Sequence, residues 1–269
     1  MSASILVDKR DLVAYVTLNR PDVRNAFDDR LISSLATILS EIERDRSVAA
    51  LVLAGSGSAF CAGADLNWMK RMAGYGYDEN LADARALAAM LKALDRMPKP
   101  TVARVHGPAF AGGVGLVAAC DIAIGAPEAE FCLTEVKLGL SPATISPYVV
   151  RAMGERAARR YFLTAERFGA DEACRLGLLA KVSAPGRLDD DLSGILRHLV
   201  QGGPEAHRKI KDLIATVSRG GPVNDALIED TAGRIAEIRV SPEGREGIAS
   251  FLEKRKPAWV TSALPTKKG

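Results

Sequence analysis

Histidine is scarce in this chain, with three in 269 residues. His106, His198 and His207 have no ligand-like spacing with one another or with the cysteines, which argues against a metal site. The four cysteines, Cys61, Cys120, Cys132 and Cys174, form no C-x-x-C pair and are too sparse for a disulfide scaffold. Reduced thiols and a cytoplasmic setting are therefore expected. No run approaches 18 uninterrupted apolar residues, so no membrane span is expected. No leader is expected either, because Ile5-Leu6-Val7 opens a strand-like run almost at once. The charge excess is small: 36 basic against 33 acidic residues give +3, too little by itself to argue for nucleic acid as a partner, which is not expected. Familiar nucleotide and hydrolase signatures are missing too. Gly112-Gly113-Val114-Gly115 lacks the G-x-G-x-x-G order, no Gly-Lys-Ser/Thr follows it, and neither Ser141 nor Ser146 sits in a G-x-S-x-G turn.

What the chain has in quantity is apolar residues, at 48%, enough for a large α/β core with an appendage. Leu12 to Asn19 reads as a strand, broken by Arg20-Pro21-Asp22. Leu31, Leu35, Ile38, Leu39 and Ile42 recur at helical spacing between Asp28 and Arg44. Ala49 to Leu53 is a short continuous apolar run, the pattern of a buried strand. A helix is predicted from about Glu79 to Asp95, a strand over Thr101 to Val105, and a helix reaching Cys120. Ile122 to Ile124, Phe131 to Leu133 and Leu179 to Val182 read as short strands. This alternation predicts an α/β architecture with crossover connections. After about residue 186 the strand pattern stops. Leu188–Val200, Pro204–Val217, Asn224–Val240 and Pro242–Lys254 read as helices, ahead of a polar end at Thr266 to Gly269. Ser241-Pro242-Glu243 supplies an N-cap, a proline at the first helical position and an acid near the positive end. The expected organisation is an α/β core over residues 1–186 and a helical region over 187–269. The helical region's apolar faces, at Ile210, Leu213 and Ile214 and at Ile235 and Ile238, call for packing on the core or on a neighbouring subunit.

Two small-residue segments stand out. The first is Phe60-Cys61-Ala62-Gly63-Ala64-Asp65-Leu66. The second runs from His106 through Gly112-Gly113 to Leu116, with Glu135 about twenty residues further on. Each follows a strand pattern and leads into a helix pattern. Such a turn leaves backbone N–H groups outward at a helix start, where negative charge is stabilised. Two such donors facing one site can hold an enolate oxygen, and a nearby carboxylate can move a proton. Close helix–strand packing is the other reading of Gly112-Gly113.

The order Arg24-Asn25-Ala26, then Phe60 to Leu66, Gly112-Gly113, Cys120-Asp121-Ile122 and Glu135 resembles the enoyl-CoA hydratase/isomerase (crotonase) superfamily. The resemblance extends over essentially the whole chain, to Phe251-Leu-Glu-Lys254 near the end. It implies a spiral of ββα units with a C-terminal helical oligomerisation region, assembled as a homotrimer or a dimer of trimers. It implies an acyl-CoA thioester as substrate and no separate cofactor, CoA entering with the substrate. By the same resemblance the N–H groups of Ala64 and Gly112 form the oxyanion hole. Arg24, Ala26, Ala62, Ala64, Asp65 and Leu66 line the CoA site, completed by Phe251 and Lys254. Lys254 reads equally as part of a solvated basic face, as Arg156, Arg159 and Arg160 do. Asp65 more readily orders its own loop than moves a proton, and Asp121 reads as structural. Glu135 matches the proton-transferring glutamate, with Phe131, Leu133, Val136 and Leu138 as apolar neighbours that would raise its pKa.

One position departs from the hydratase pattern. The second glutamate, which holds and activates water, falls at Gly115 here. Asp65-Leu66-Asn67-Trp68-Met69 and Ile145 to Arg151 look like the branch containing methylglutaconyl-CoA and carboxygeranoyl-CoA hydratases. A branched, carboxylated acyl chain would suit that branch, with Gly115 leaving room for a methyl group and Ser141, Thr144 or Ser146 donating hydrogen bonds. The expected activity is therefore that of a hydro-lyase adding water to an enoyl-CoA. The alternatives are a single-glutamate Δ3-Δ2-enoyl-CoA isomerase, or a catalytically weak CoA- or RNA-binding relative.

Overall fold

The structure, a computed structural model, describes residues 3–218 and 222–260; the polar end at Thr266 to Gly269 lies outside them. The chain divides into two compact units between Gly194 and Ile195.

The first unit opens with β1 (Ile5–Arg10) and β2 (Val13–Leu18), an antiparallel hairpin whose turn residues Asp11 and Leu12 both take left-handed φ. α1 (Asp29–Arg44) follows. Asp28 caps its start by accepting the Leu31 N–H at 2.7 Å, and Leu31, Ile32, Leu35, Leu39 and Ile42 form its buried stripe. Lys99 Nζ donates to the carbonyls of Ile42 and Asp45 at its end, where cationic groups are favoured. β3 (Ala50–Gly55) is buried along Ala50 to Leu53 with no alternation, as expected for a central strand. Then come α2 (Leu66–Met72), α3 (Tyr77–Asp95), β4 (Thr101–Val105), β5 (Ala109–Phe110), α4 (Gly112–Ala119), β6 (Ile122–Gly125) and β7 (Glu130–Cys132). After a 3-10 turn at Glu135–Leu138 follow α5 (Ser146–Thr164), β8 (Phe168–Gly169), α6 (Ala170–Arg175), β9 (Lys181–Val182) and α7 (Leu188–Leu199), which runs across the unit boundary.

The main sheet has the order β1-β2-β3-β4-β6-β9 and is parallel from β2 onward. A small sheet has the order β5-β7-β8. Twice the chain contributes one strand to each sheet and then a helix: β4, β5 and α4, then β6, β7 and α5. This is the ββα spiral. Its consequence is that the residues just after β5 and just after β7 lie side by side, because those strands pair in parallel, Ala109 opposite Phe131 and Phe110 opposite Cys132.

The predicted strands and the long helices occur close to their expected positions. α3 starts two residues early because the Glu79 carboxylate accepts the Gly76 N–H at 2.8 Å and closes its first turn. α10 (Pro242–Leu252) ends before Lys254, which takes a left-handed φ of 55°. The sequence reading passed over α2, α5 and α6. α2 and α6 have seven and six residues, too few to establish a period. α5 is interrupted at Gly154, where φ is 79°, so its apolar spacing falls out of step. Asp121 proves to be a clamp: its Oδ2 accepts the Thr101 N–H at 2.8 Å and the Thr101 hydroxyl at 2.9 Å. Its own N–H returns a bond to Thr101 Oγ1.

In the second unit α8 (Pro204–Val217), α9 (Asp225–Val240) and α10 pack on one another. Ser241 caps α10 through Gly244 N–H at 3.0 Å. Glu243 also caps α8, accepting the N–H groups of Glu205 and Ala206 at 2.9 and 2.7 Å. Ile210, Ile214, Ile235 and Ile248 stand exposed on this unit. No helix among the described residues is long and apolar enough to cross a membrane.

Asp121→Ala strips the start of β4 of its carboxylate partner. Thermal unfolding should show a loss of roughly 1–3 kcal/mol, the usual cost of leaving buried donors unsatisfied.

Candidate active site

The two small-residue segments run alongside each other. Cys61 bridges Ala109 in parallel, Phe110 N–H donates to Cys61 O at 2.9 Å, and Phe60 N–H donates to Pro108 O at 3.0 Å. Each segment ends at a helix start, α2 and α4 respectively. Ala64 sits in a second parallel bridge, to Phe27. In that bridge Phe27 N–H donates to Gly63 O at 2.6 Å and Asp65 N–H donates to Phe27 O at 2.7 Å. Backbone groups alternate in direction along a strand, so the Ala64 N–H points away from Phe27. Gly112 is the first residue of α4, where an N–H has no intrahelical partner. Neither the Ala64 nor the Gly112 N–H donates a hydrogen bond among the described residues. The loops touch beside these donors: a Cβ on Gly63 would lie 3.1 Å from Ala111 Cβ.

Ala111, the N-cap of α4, has φ 47° and ψ −117°, a conformation a non-glycine residue rarely holds. It is pinned from both sides, its N–H donating to Cys132 O at 2.8 Å and its carbonyl accepting from Val114 N–H at 2.9 Å. This fixes the peptide plane that carries the Gly112 N–H.

The reason for glycine at these positions is packing. A Cβ on Gly112 would meet Phe27 Cε2 at 2.5 Å, and one on Gly113 would meet Cys61 O at 2.5 Å. Cys61 is buried between these elements, and burial pushes its thiol up to about 12, so it stays protonated.

Glu135 follows Cys132 by three residues, and Cys132 is bonded to Ala111, so the β5–β7 pairing carries the carboxylate toward the start of α4. Its Oε2 is buried and has no hydrogen-bond partner. Burial raises its pKa above 4.5, opposed by a hydrogen bond from its own N–H. The neighbours differ from the expected set. Phe131 and Leu133 are buried, but Val136 and Leu138 are 39% and 57% exposed, because the 3-10 turn directs them outward.

Gly115 requires a correction. It is buried in α4, and a Cβ there would lie 2.8 Å from Ile145 Cβ. The space expected for a methyl branch of the substrate is filled by Ile145. Of the candidate donors on the following loop, Ser146 Oγ donates to Ala143 O at 2.8 Å, and Ser141 is exposed.

The CoA-side segments are held by a polar knot. Arg20 Nη1 donates to Ala26 O at 2.7 Å, and its Nη2 bonds Asp65 Oδ2 at 2.9 Å. Asp65 Oδ1 caps α2, accepting the Asn67 and Trp68 N–H groups at 2.8 and 3.3 Å. Burial works against ionisation of Asp65 but is outweighed by those N–H groups and the Arg20 guanidinium, so its pKa lies below the usual value. Its carboxylate orders the loop, the structural role expected for it. Asn25, at 0% exposure, accepts the Arg20 N–H at 2.8 Å and donates to Ser56 O and Ala59 O at 2.8 Å. Ala62 N–H donates to Arg24 O at 2.9 Å. The Arg24 side chain and Leu66 are exposed, with no ion pair at Arg24 among the described residues. A polar cavity of about 420 Å³ lies here, lined by Arg20, Asp28, Asp29, Arg30, Asn67 and Arg71 among others. In the second unit Phe251 is 81% exposed, and Lys254 makes no ion pair among the described residues.

Sequence reasoning does not give Arg20, Phe27, Ala111 or Ile145 the roles they have here. Arg20 was visible only as a strand breaker before proline. The others act through contacts between distant segments that no local pattern marks.

With this geometry in hand, the chain belongs to the enoyl-CoA hydratase/isomerase family, whose model matches residues 8–262. A crystal structure of an enoyl-CoA hydratase from Shewanella pealeana superposes with a TM-score of 0.93 at 43% identity, covering 96% of each chain. Pseudomonas aeruginosa AtuE gives 0.90 at 37% identity over 96% of this chain and 100% of its own. The short-chain-enoyl-CoA hydratase of Clostridium acetobutylicum is 31% identical over 260 residues, 94% of this chain and 96% of the relative.

The raised pKa of Glu135 has a consequence for stability. A carboxyl whose folded pKa exceeds its unfolded value favours the folded state at low pH, and that contribution is lost as pH rises through the folded pKa. Glu135→Gln keeps the neutral form at every pH. The melting temperature of the variant relative to the parent should therefore rise between pH 4.5 and pH 7. A difference that stays constant with pH would show that Glu135 is not buried as described.

Proposed function

We propose that this chain is an enoyl-CoA hydratase acting on a short acyl-CoA thioester, branched or carboxylated, with Glu135 as its proton-transfer group. The observation that carries the reading is the buried, unpartnered Glu135 Oε2, brought by the β5–β7 pairing toward the start of α4, where the free Gly112 N–H lies. The family relationship supports hydration as the reaction, and the named hydratases among the relatives support an enoyl-CoA substrate.

In this reading the thioester carbonyl oxygen accepts hydrogen bonds from the Ala64 and Gly112 N–H groups. Water attacks Cβ as Glu135 carboxylate takes one of its protons. The C=C electrons move onto the thioester oxygen as an enolate, whose charge the two preoriented donors stabilise. Glu135 then returns the proton to Cα and the carbonyl re-forms, so one water has been added and the carboxylate regenerated. The carboxyl must be ionised for one half-step and protonated for the other, and burial moves its pKa toward neutrality to serve both. The exposed guanidinium of Arg24 is suited to the CoA phosphates. Phe251 and Lys254 of a neighbouring copy would complete that site, and second copies of the chain covering the apolar residues of α8 to α10 would form the proposed trimer or dimer of trimers. The loop bearing Ser141 and Thr144 links the Glu135 turn to α5 and is the candidate reader of a distal carboxylate.

A second reading, the Δ3-Δ2 isomerase, is favoured by one observation: the place of a second acid at residue 115 is closed. Binding of RNA draws little support, since Arg159 and Arg160 on α5 are paired with Glu155 and Glu166.

Incubation in deuterated water with crotonyl-CoA, 3-methylglutaconyl-CoA and a trans-3-enoyl-CoA, followed by mass spectrometry, tests the reading. Gain of one water with one α-deuterium on a 2-enoyl substrate is expected; turnover of the 3-enoyl substrate alone makes the chain an isomerase. Glu135→Gln should lower kcat by roughly 10²–10⁴-fold while CoA affinity changes little, the span usual for loss of a general acid–base group.

A further inference from the structure

Residue 115 lies one helical turn beyond Gly112 on α4 and is buried. A side chain there is shut out by one residue. A Cβ at 115 would lie 2.8 Å from Ile145 Cβ and closer still to its Cγ2, but 3.8 Å from its Cα. Ile145 cannot yield easily. It is 3% exposed within the core cluster, β-branched and stiff at χ1, and its carbonyl is held by the N–H groups of Tyr148 and Val149 at 3.1 Å each. It also belongs to the loop that joins the Glu135 turn to α5.

We infer that Ile145 is a specificity-determining residue: by filling the place of a residue-115 side chain, it keeps the site to the one free carboxylate of Glu135. This inference rests on the reading of Glu135 as the proton-transfer group. Asp65 cannot serve instead, because both of its oxygens are bound by Arg20 and the α2 N–H groups. A site built this way suits reactions in which one group takes a proton and gives it back, and it should respond to a new acid only after Ile145 is removed.

The test separates packing from chemistry. Gly115→Ala, Ile145→Gly and the double variant form a cycle read by thermal unfolding. Glycine is the informative replacement at 145, since alanine would keep the offending Cβ. Gly115→Ala alone should lose roughly 3–8 °C, as overpacked cores of this size do. In the Ile145→Gly background the same change should cost at least about 3 °C less, outside the range of additive effects. Equal losses in the two backgrounds, or an innocuous Gly115→Ala, would overturn the lock. Ile145→Ala supplies the same comparison if Ile145→Gly does not fold, with smaller relief expected and no relief counting against the lock.

The chemical arm uses Gly115→Glu. With Ile145 present it should lower crotonyl-CoA hydration at least about 10-fold through misfolding of the α4 start. With Ile145→Gly it should raise kcat above that of Ile145→Gly alone and add a second ionisation to the pH–rate profile. No gain, despite a coupled cycle, would remove the specificity role and leave only packing. Full activity of Glu135→Gln would instead overturn the parent reading, and the melting cycle would be unaffected by it.

Discussion

Everything in this site depends on how closely two backbone segments approach. Residues 60–64 and 108–113 run together with no side chain between them at Gly63 or Gly113. A methyl group at Gly113 would press on the Cys61 carbonyl, and one at Gly112 on the Phe27 ring. Dispersion and backbone hydrogen bonds then gain from contact distances that side chains would deny. The same closeness sets the unpaired N–H groups of Ala64 and Gly112 on neighbouring segments, so the packing requirement and the proposed chemical one fall on the same small residues.

The second support is polar. Arg20, Asn25 and Asp65 tie residues 20–28, 56–59 and 65–68 into one knot with most of its hydrogen bonds inside protein. A buried ion pair adds little net stability when set against an apolar replacement, but it imposes one geometry because leaving either partner alone is costly. Geometry is what the proposed oxyanion hole would need, and here the restraint falls on the loop that carries Ala64. On the other side, the strained Ala111 is held by Cys132 and Val114, so the second donor is fixed by a different set of bonds.

Much of this could be read along the chain. Continuous apolar runs such as Ala50 to Leu53 and the 3.6-residue stripe of α1 state their own structure. The two small-residue segments and Glu135 were found by spacing and by resemblance. What escaped were relations between segments. Gly115 reads as vacant space in the sequence because glycine has no side chain, yet the volume belongs to Ile145, thirty residues on. Val136 and Leu138 read as a greasy environment for Glu135, yet a 3-10 turn points them outward. Periodicity reports which face of an element is apolar, not which distant residue occupies the gap beside it, and Gly154 blurred even that for α5.

The parallel bridges that join Cys61 to Ala109 and Phe27 to Ala64 link residues far apart in sequence. Parallel pairing of this kind closes long loops before any contact energy is returned, so it forms late and as part of the whole. No short stretch of the first unit can hold the two donors in register by its own local structure. The arrangement proposed as catalytic is therefore a property of the completed fold: Glu135 and the two N–H groups come together only when segments far apart in sequence have paired.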